Sequence, residues 1–137
     1  MAVTRTRAAL AVQHESLDAK HVTEVLGLEP TESFEAGDPY ARDSRRREHS
    51  HWALDSPADP DATSLDDQLR TLVDRLLPLR AQLQELRDTG YRLVWTCYVE
   101  ECDGDGMVML SSALLRDLGA LPVDLWVESY ADTPSAE

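Results

Sequence analysis

The sequence predicts an α+β domain with a largely antiparallel sheet and helices on one of its faces, and three observations predict it. Leu93, Trp95, Cys97 and Val99 alternate with Val94, Thr96 and Tyr98, the period-two signature of a strand. Leu65, Leu69, Leu72, Val73 and Leu76, then Leu79, Leu83 and Leu86, form an apolar stripe at helical spacing. Along the chain these signals fall in the order strand, helix, strand, strand, long helix, strand.

The first strand is predicted from about Arg7 to His14, where Leu10 and Val12 alternate with Ala9 and Ala11. Ser16 and Asp18 are helix-start residues, and Val22, Val25 and Leu26 share one helical face that Gly27 terminates. Pro30 then turns the chain into a second strand over Glu32 to Ala36, and Ser50 to Asp55 makes a third around Trp52 and Leu54. Residues 38–49 lie between these strands, polar and Arg-rich, with no periodicity, and are expected to form a mobile loop. Pro78 removes a backbone donor, so the long helix that starts at Ser64 should kink or split there before Thr89-Gly90 ends it. After the strand over Tyr91 to Val99, Asp103-Gly104-Asp105-Gly106 predicts a hairpin turn into a short strand from Met107 to Leu110. A helix bearing Leu114, Leu115 and Leu118 follows, and a last strand runs from Val123 to Tyr130 through Leu125 and Val127.

The first six elements match the split βαβ arrangement of the ferredoxin-like fold, βαββαβ, here with a C-terminal strand-helix-strand extension. A single domain over 1–137 is expected, with an ordered core at about 7–130 and a tail at 131–137. No internal repeat is evident.

The chain has 26 acidic and 13 basic residues, a formal net charge of −13. A field of that sign repels polyanions, so nucleic acid and anionic membrane surfaces are poor partners and a basic protein is a better one. The apolar run Ala8 to Val12 is too short for a signal-peptide core, and no stretch reaches the length of a membrane span. Two cysteines, Cys97 and Cys102, supply neither a zinc set nor a secreted disulfide framework, so a cytoplasmic location is expected.

Several short segments follow one another in a distinctive order. They are Leu17-Asp18 before a helix ending Val25-Leu26-Gly27-Leu28-Glu29-Pro30-Thr31, Gly37 after the second strand, and His51-Trp52-Ala53-Leu54. The Leu-rich helix broken at Pro78, Leu114-Leu115-Arg116-Asp117-Leu118-Gly119 and the closing strand ending in Tyr130 continue the pattern. Together they resemble a bacterial family catalogued as domain of unknown function 4279; the resemblance covers about residues 8–130 and implies no activity, cofactor or catalytic set.

The residues that invite chemistry are few. His49 and His51 sit two apart at a strand entrance and so share a face, but a metal site needs further ligands, so partly exposed histidines are expected and no metal. Arg45, Arg46 and Arg47 offer guanidinium forks for an acidic group, yet three consecutive residues of one extended segment cannot all face one ligand. Glu100, Glu101, Asp103 and Asp105 lack the later oxygen ligands of a calcium loop. Cys97 is expected to be buried, and no catalytic triad or phosphate loop is present. Trp52, Trp95 and Trp126 fall on strands, where core packing is the expected use, although an indole on the open face of the sheet could anchor a ligand.

Two functional readings follow. The first is a noncatalytic binding protein, immunity-like or regulatory, with no cofactor and no catalytic residue. Its candidate binding residues are Arg45, Arg46, Arg47, His49, His51, Trp52 and Tyr98. The second is a small-molecule or metal-dependent enzyme, or a ligand sensor, using the open sheet face. Val94, Thr96 and Tyr98 on that face also suit burial against a twofold-related copy, so a homodimer is expected.

Overall fold

A computed structural model of the chain describes residues 3–40, 45–60, 63–102 and 108–132. Its elements are β1 (Val3–His14), α1 (Ala19–Leu26), β2 (Glu32–Phe34), β3 (Ser50–Asp55), α2 (Leu65–Leu76), a 3₁₀ turn (Leu77–Leu79), α3 (Arg80–Thr89), β4 (Arg92–Cys102), α4 (Ser112–Gly119) and β5 (Asp124–Asp132). The order β2-β3-β1-β4-β5 makes one five-stranded sheet, in which only β4 and β5 pair in parallel. The first four strands have the antiparallel arrangement expected of a ferredoxin-like core, so the α+β reading holds.

The helix ends follow from local chemistry. Ser64 caps α2 by accepting from the Asp67 N–H at 3.1 Å, and Ser111 caps α4 by accepting from Leu114 at 3.2 Å. Asp18 precedes α1 but makes no side-chain cap. The Glu35 carboxylate, just beyond β2, takes that role by accepting from the N–H groups of Ala19 and Lys20 at 2.7 and 3.1 Å, which places a negative charge at the positive end of the helix dipole. Gly27 ends α1 in the left-handed region at φ 70°. Pro78 splits the long helix as its missing N–H requires, leaving the 3₁₀ turn between α2 and α3.

Side chains alternate across each strand, and one parity faces the helices. Leu10 and Val12 of β1, Trp52 and Leu54 of β3, and Leu93, Trp95 and Cys97 of β4 bury against leucines of α2, α3 and α4. Trp95 is fully buried, and Tyr98 lies on the opposite face, so the predicted register of β4 is the observed one. Trp52 is also fully buried, with its indole N–H donating to Thr23 Oγ1 at 2.9 Å.

The C-terminal extension differs from expectation in two ways. Residues 108–110 form no strand, and Met107 and the turn at 103–106 lie outside the described residues. Without that hairpin the chain reaches β5 by a crossover through α4, which is why β5 runs parallel to β4. Helix α4 lies on the same side of the sheet as the other helices. It joins the helix layer, where Leu114 is fully buried, Arg70 of α2 pairs with Asp117 at 2.7 Å, and Asp66 accepts from the Ser111 N–H at 2.7 Å. Second, Trp126 is not a core residue: it is 50% exposed on the edge strand β5.

The expectation of a mobile loop over 38–49 rested on a lack of anchors, and its described parts have them. Pro39 and Arg46 form a β-bridge, Gly37 donates to the Arg47 carbonyl at 2.9 Å, and Arg47 donates to the Asp38 carbonyl at 2.7 Å. These bonds extend the β2–β3 hairpin outward. Residues 41–44 lie outside the described residues.

Candidate functional site

The second parity of the strands faces away from the helices, and its centre is made of small residues. Ala11 stands opposite Ala53 in β3 and opposite Val94 in β4, while Ala9 stands opposite Thr96. Residues in register across neighbouring strands share a face, so these form a low floor with taller side chains to either side.

On the β2 side the Phe34 and His51 rings stack at 5.0 Å. Gln13 Nε2 lies 2.9 Å from His51 Nδ1, a contact a neutral imidazole makes by accepting at Nδ1. Burial lowers the His51 pKa from its ordinary value of 6.5; Glu32 opposes the shift, and His49 and Arg47 reinforce it. A histidine held neutral in the fold must bind a proton to match the unfolded chain, so its contribution to stability is present above pH 6.5 and is lost as pH falls through the lowered value. His51→Gln is therefore expected to reduce the loss of stability between about pH 7 and about pH 5, read by urea unfolding. An unchanged pH profile would contradict this account of His51.

The arginines are held separately. The Arg47 guanidinium sits over Phe34 at 3.9 Å and over Tyr40 at 4.1 Å, while Arg45 lies 5.0 Å from the Tyr40 ring centre. Arg46 is exposed and donates to the Gly37 carbonyl at 3.4 Å. The three do not converge on one point, and Arg47 is already engaged by aromatic faces. His49 and His51 both lie against the Phe34 ring, His49 at 6.2 Å. Among the described residues no group of three His, Cys, Asp or Glu could hold a metal.

On the β5 side Tyr98, half-buried, stacks on Tyr130 at 4.9 Å, and Arg92 lies 5.3 Å from the Trp126 ring centre. Of the candidate binding residues, Trp52 is withdrawn from this surface, because it packs wholly on the helix side.

A cleft of about 370 Å³ opens where β3 leaves β1, beside Arg7, Asp55, Thr96, Tyr98 and Glu128. The chain after β3 still follows β1, with Ser56 donating to the Ala8 carbonyl at 2.9 Å and Thr6 to the Pro60 carbonyl at 3.0 Å. Arg7, Asp55 and Glu128 form no ion pair among the described residues. Burial, with Glu32 adding, raises the Asp55 pKa, and Arg7 opposes that rise. Cys97 also borders the cleft, but burial pushes its thiol up to about 12, too high for a thiolate nucleophile at neutral pH.

The family model described as Domain of unknown function (DUF4279) matches residues 4–132, nearly the whole chain. The chain belongs to that family. No curated protein and no solved structure matches it. In this DUF4279 chain no helix among the described residues is long and apolar enough to cross a membrane.

Arg7, Ala9, Trp126, Glu128 and Tyr130 reach this surface, with Ala11 and Ala53 buried beneath it, and all were absent from the sequence-based set. A signal for β5 exists in its alternation: Trp126 and Tyr130 share parity with Asp124 and Glu128, the polar positions, which marks that parity as the solvated one.

Proposed function

We propose that this DUF4279 chain is a noncatalytic interaction protein, immunity-like or regulatory, whose helix-free sheet face is its binding surface. One observation carries the reading: among the described residues no helix covers the parity of Ala9, Ala11 and Ala53, which has aromatic side chains on both flanks. A sheet usually buries one face and solvates the other with polar side chains. Here Ala11, Ala53 and Val94 at the centre of the helix-free parity are themselves buried, so the accessible part of this face is Ala9 and Thr96 with the rings and polar groups at the margins, a mixed surface suited to an interface. The net charge of −13 favours a basic partner. The free buried thiol of Cys97 fits a reducing cytoplasm.

The test is capture of a binding partner by wild type and by Thr96→Arg, which plants a long cation beside Ala9. Thr96 is half-buried, so the arginine can reach solvent and the fold should persist, as an unchanged melting temperature would verify. The partner retained by wild type is expected to be lost by at least about tenfold, or ~1.4 kcal/mol. Equal capture by the two proteins would contradict the reading.

A second reading, a small-molecule sensor or enzyme on the same face, is favoured by the cleft beside Arg7, Asp55 and Glu128. A metabolite that raises the melting temperature of wild type and not of Arg7→Ala would select it.

A further inference from the structure

The two edges of the sheet are unlike. β2 has three residues, and the chain beyond it is bridged back onto 45–47 by the hairpin extension. β5 has nine residues, Asp124–Asp132, and contains no proline, lysine or arginine. Proteins usually blunt a long edge strand with such residues, because its outward backbone groups form a template for another strand. β5 instead exposes apolar side chains on both faces: Leu125 at 41% and Val127 at 50% on the helix side, and Trp126 at 50% and Tyr130 at 48% on the open side.

We propose that β5 docks an extended segment of a partner protein in which basic and apolar residues alternate, adding it as a sixth strand. The choice of occupant follows from the two parities of β5. Odd positions present Leu125 and Val127, which want apolar neighbours. Even positions present Asp124, Trp126, Glu128 and Tyr130, carboxylates interleaved with rings, and both kinds of group take a cation. The protein already places one of its own guanidinium groups, that of Arg92, against Trp126. A strand with alternating character matches both parities at once, main-chain bonds giving affinity and side chains giving specificity.

A second copy matches only one. In a twofold antiparallel pair centred on Trp126, Asp124 opposes Glu128; centred on Glu128, that residue opposes itself and Asp124 opposes Asp132. Centring on Val127 avoids those oppositions but sets Glu128 against Trp126 and supplies no cation. Each copy also brings −13.

This inference rests on the interaction reading and names the partner's chemistry at the margin of the same face. The test titrates the full chain with a blocked nine-residue peptide alternating lysine and valine, and with a peptide of the same composition whose lysines are contiguous. The alternating peptide is expected to bind at least about tenfold more tightly, and Glu128→Lys to weaken it by about tenfold, ~1.4 kcal/mol. Glu29→Lys, the same charge change at an exposed position elsewhere, is expected to weaken it by under about twofold. Equal binding of the two peptides, or equal losses in the two variants, would overturn the proposal in favour of unspecific charge attraction. A peptide-free dimer whose β5 amides resist hydrogen exchange would overturn it in favour of a second copy. If the peptide arm fails while Thr96→Arg still loses the captured partner, only the edge-strand inference falls.

Discussion

Trp95→Ala is expected to lower folding stability by about 3–5 kcal/mol, whereas Trp126→Ala should cost under about 1 kcal/mol. Both are tryptophans on adjacent strands, so propensity and residue volume do not separate them. Burial does: Trp95 is fully enclosed among the leucines behind β4, and Trp126 is 50% exposed. Truncating the first leaves a cavity that neighbouring helices cannot collapse into, while truncating the second removes a surface ring that solvent replaces. Since a domain of this size is stable by only about 5–15 kcal/mol, the Trp95 variant should be partly unfolded at modest urea concentrations. Urea midpoints of the two variants check this, and similar losses would mean that the sheet faces are assigned wrongly.

The second large effect concerns the C-terminal extension. Leu114→Ala should cost about 2–5 kcal/mol and unfold the chain in one transition, because Leu114 is fully buried in the same cluster as Leu69 and Leu72. An appendage resting on a complete four-stranded core would behave otherwise, with α4 and β5 lost first and the remainder later. The ties from α4 to α2, Arg70 to Asp117 and Ser111 to Asp66, argue for a single cooperative unit. Calorimetry of the variant distinguishes the cases, a biphasic transition being the contrary result. β5 matters to binding only if it is held as firmly as this predicts.

The helix-facing half of the fold was legible because it is written in two strong periodicities. The leucine stripe from Leu65 to Leu86 buries one helical face, the alternation from Leu93 to Val99 buries all of its odd positions and, of the even ones, Val94, and Pro78 breaks the helix where its chemistry requires. The open face was less legible, since Ala9, Ala11 and Ala53 read as weak strand formers and become a floor only once three strands set them in register. Trp126 misled for a related reason. An indole on a strand reads as core, but exposure depends on whether another strand or helix lies beyond it, and β5 is an edge. The Arg-rich segment likewise looked unanchored because its anchors, Phe34 and Tyr40, are rings across a hairpin rather than apolar neighbours in sequence.

Hydrogen exchange on the captured complex tests the central claim most directly. Compared with the free chain, the complex should gain protection along β5, with α1, α2 and α3 unchanged, because the partner sits on the helix-free side and its margin. Protection gained only in the helices would place the partner on the other side of the sheet and contradict the account.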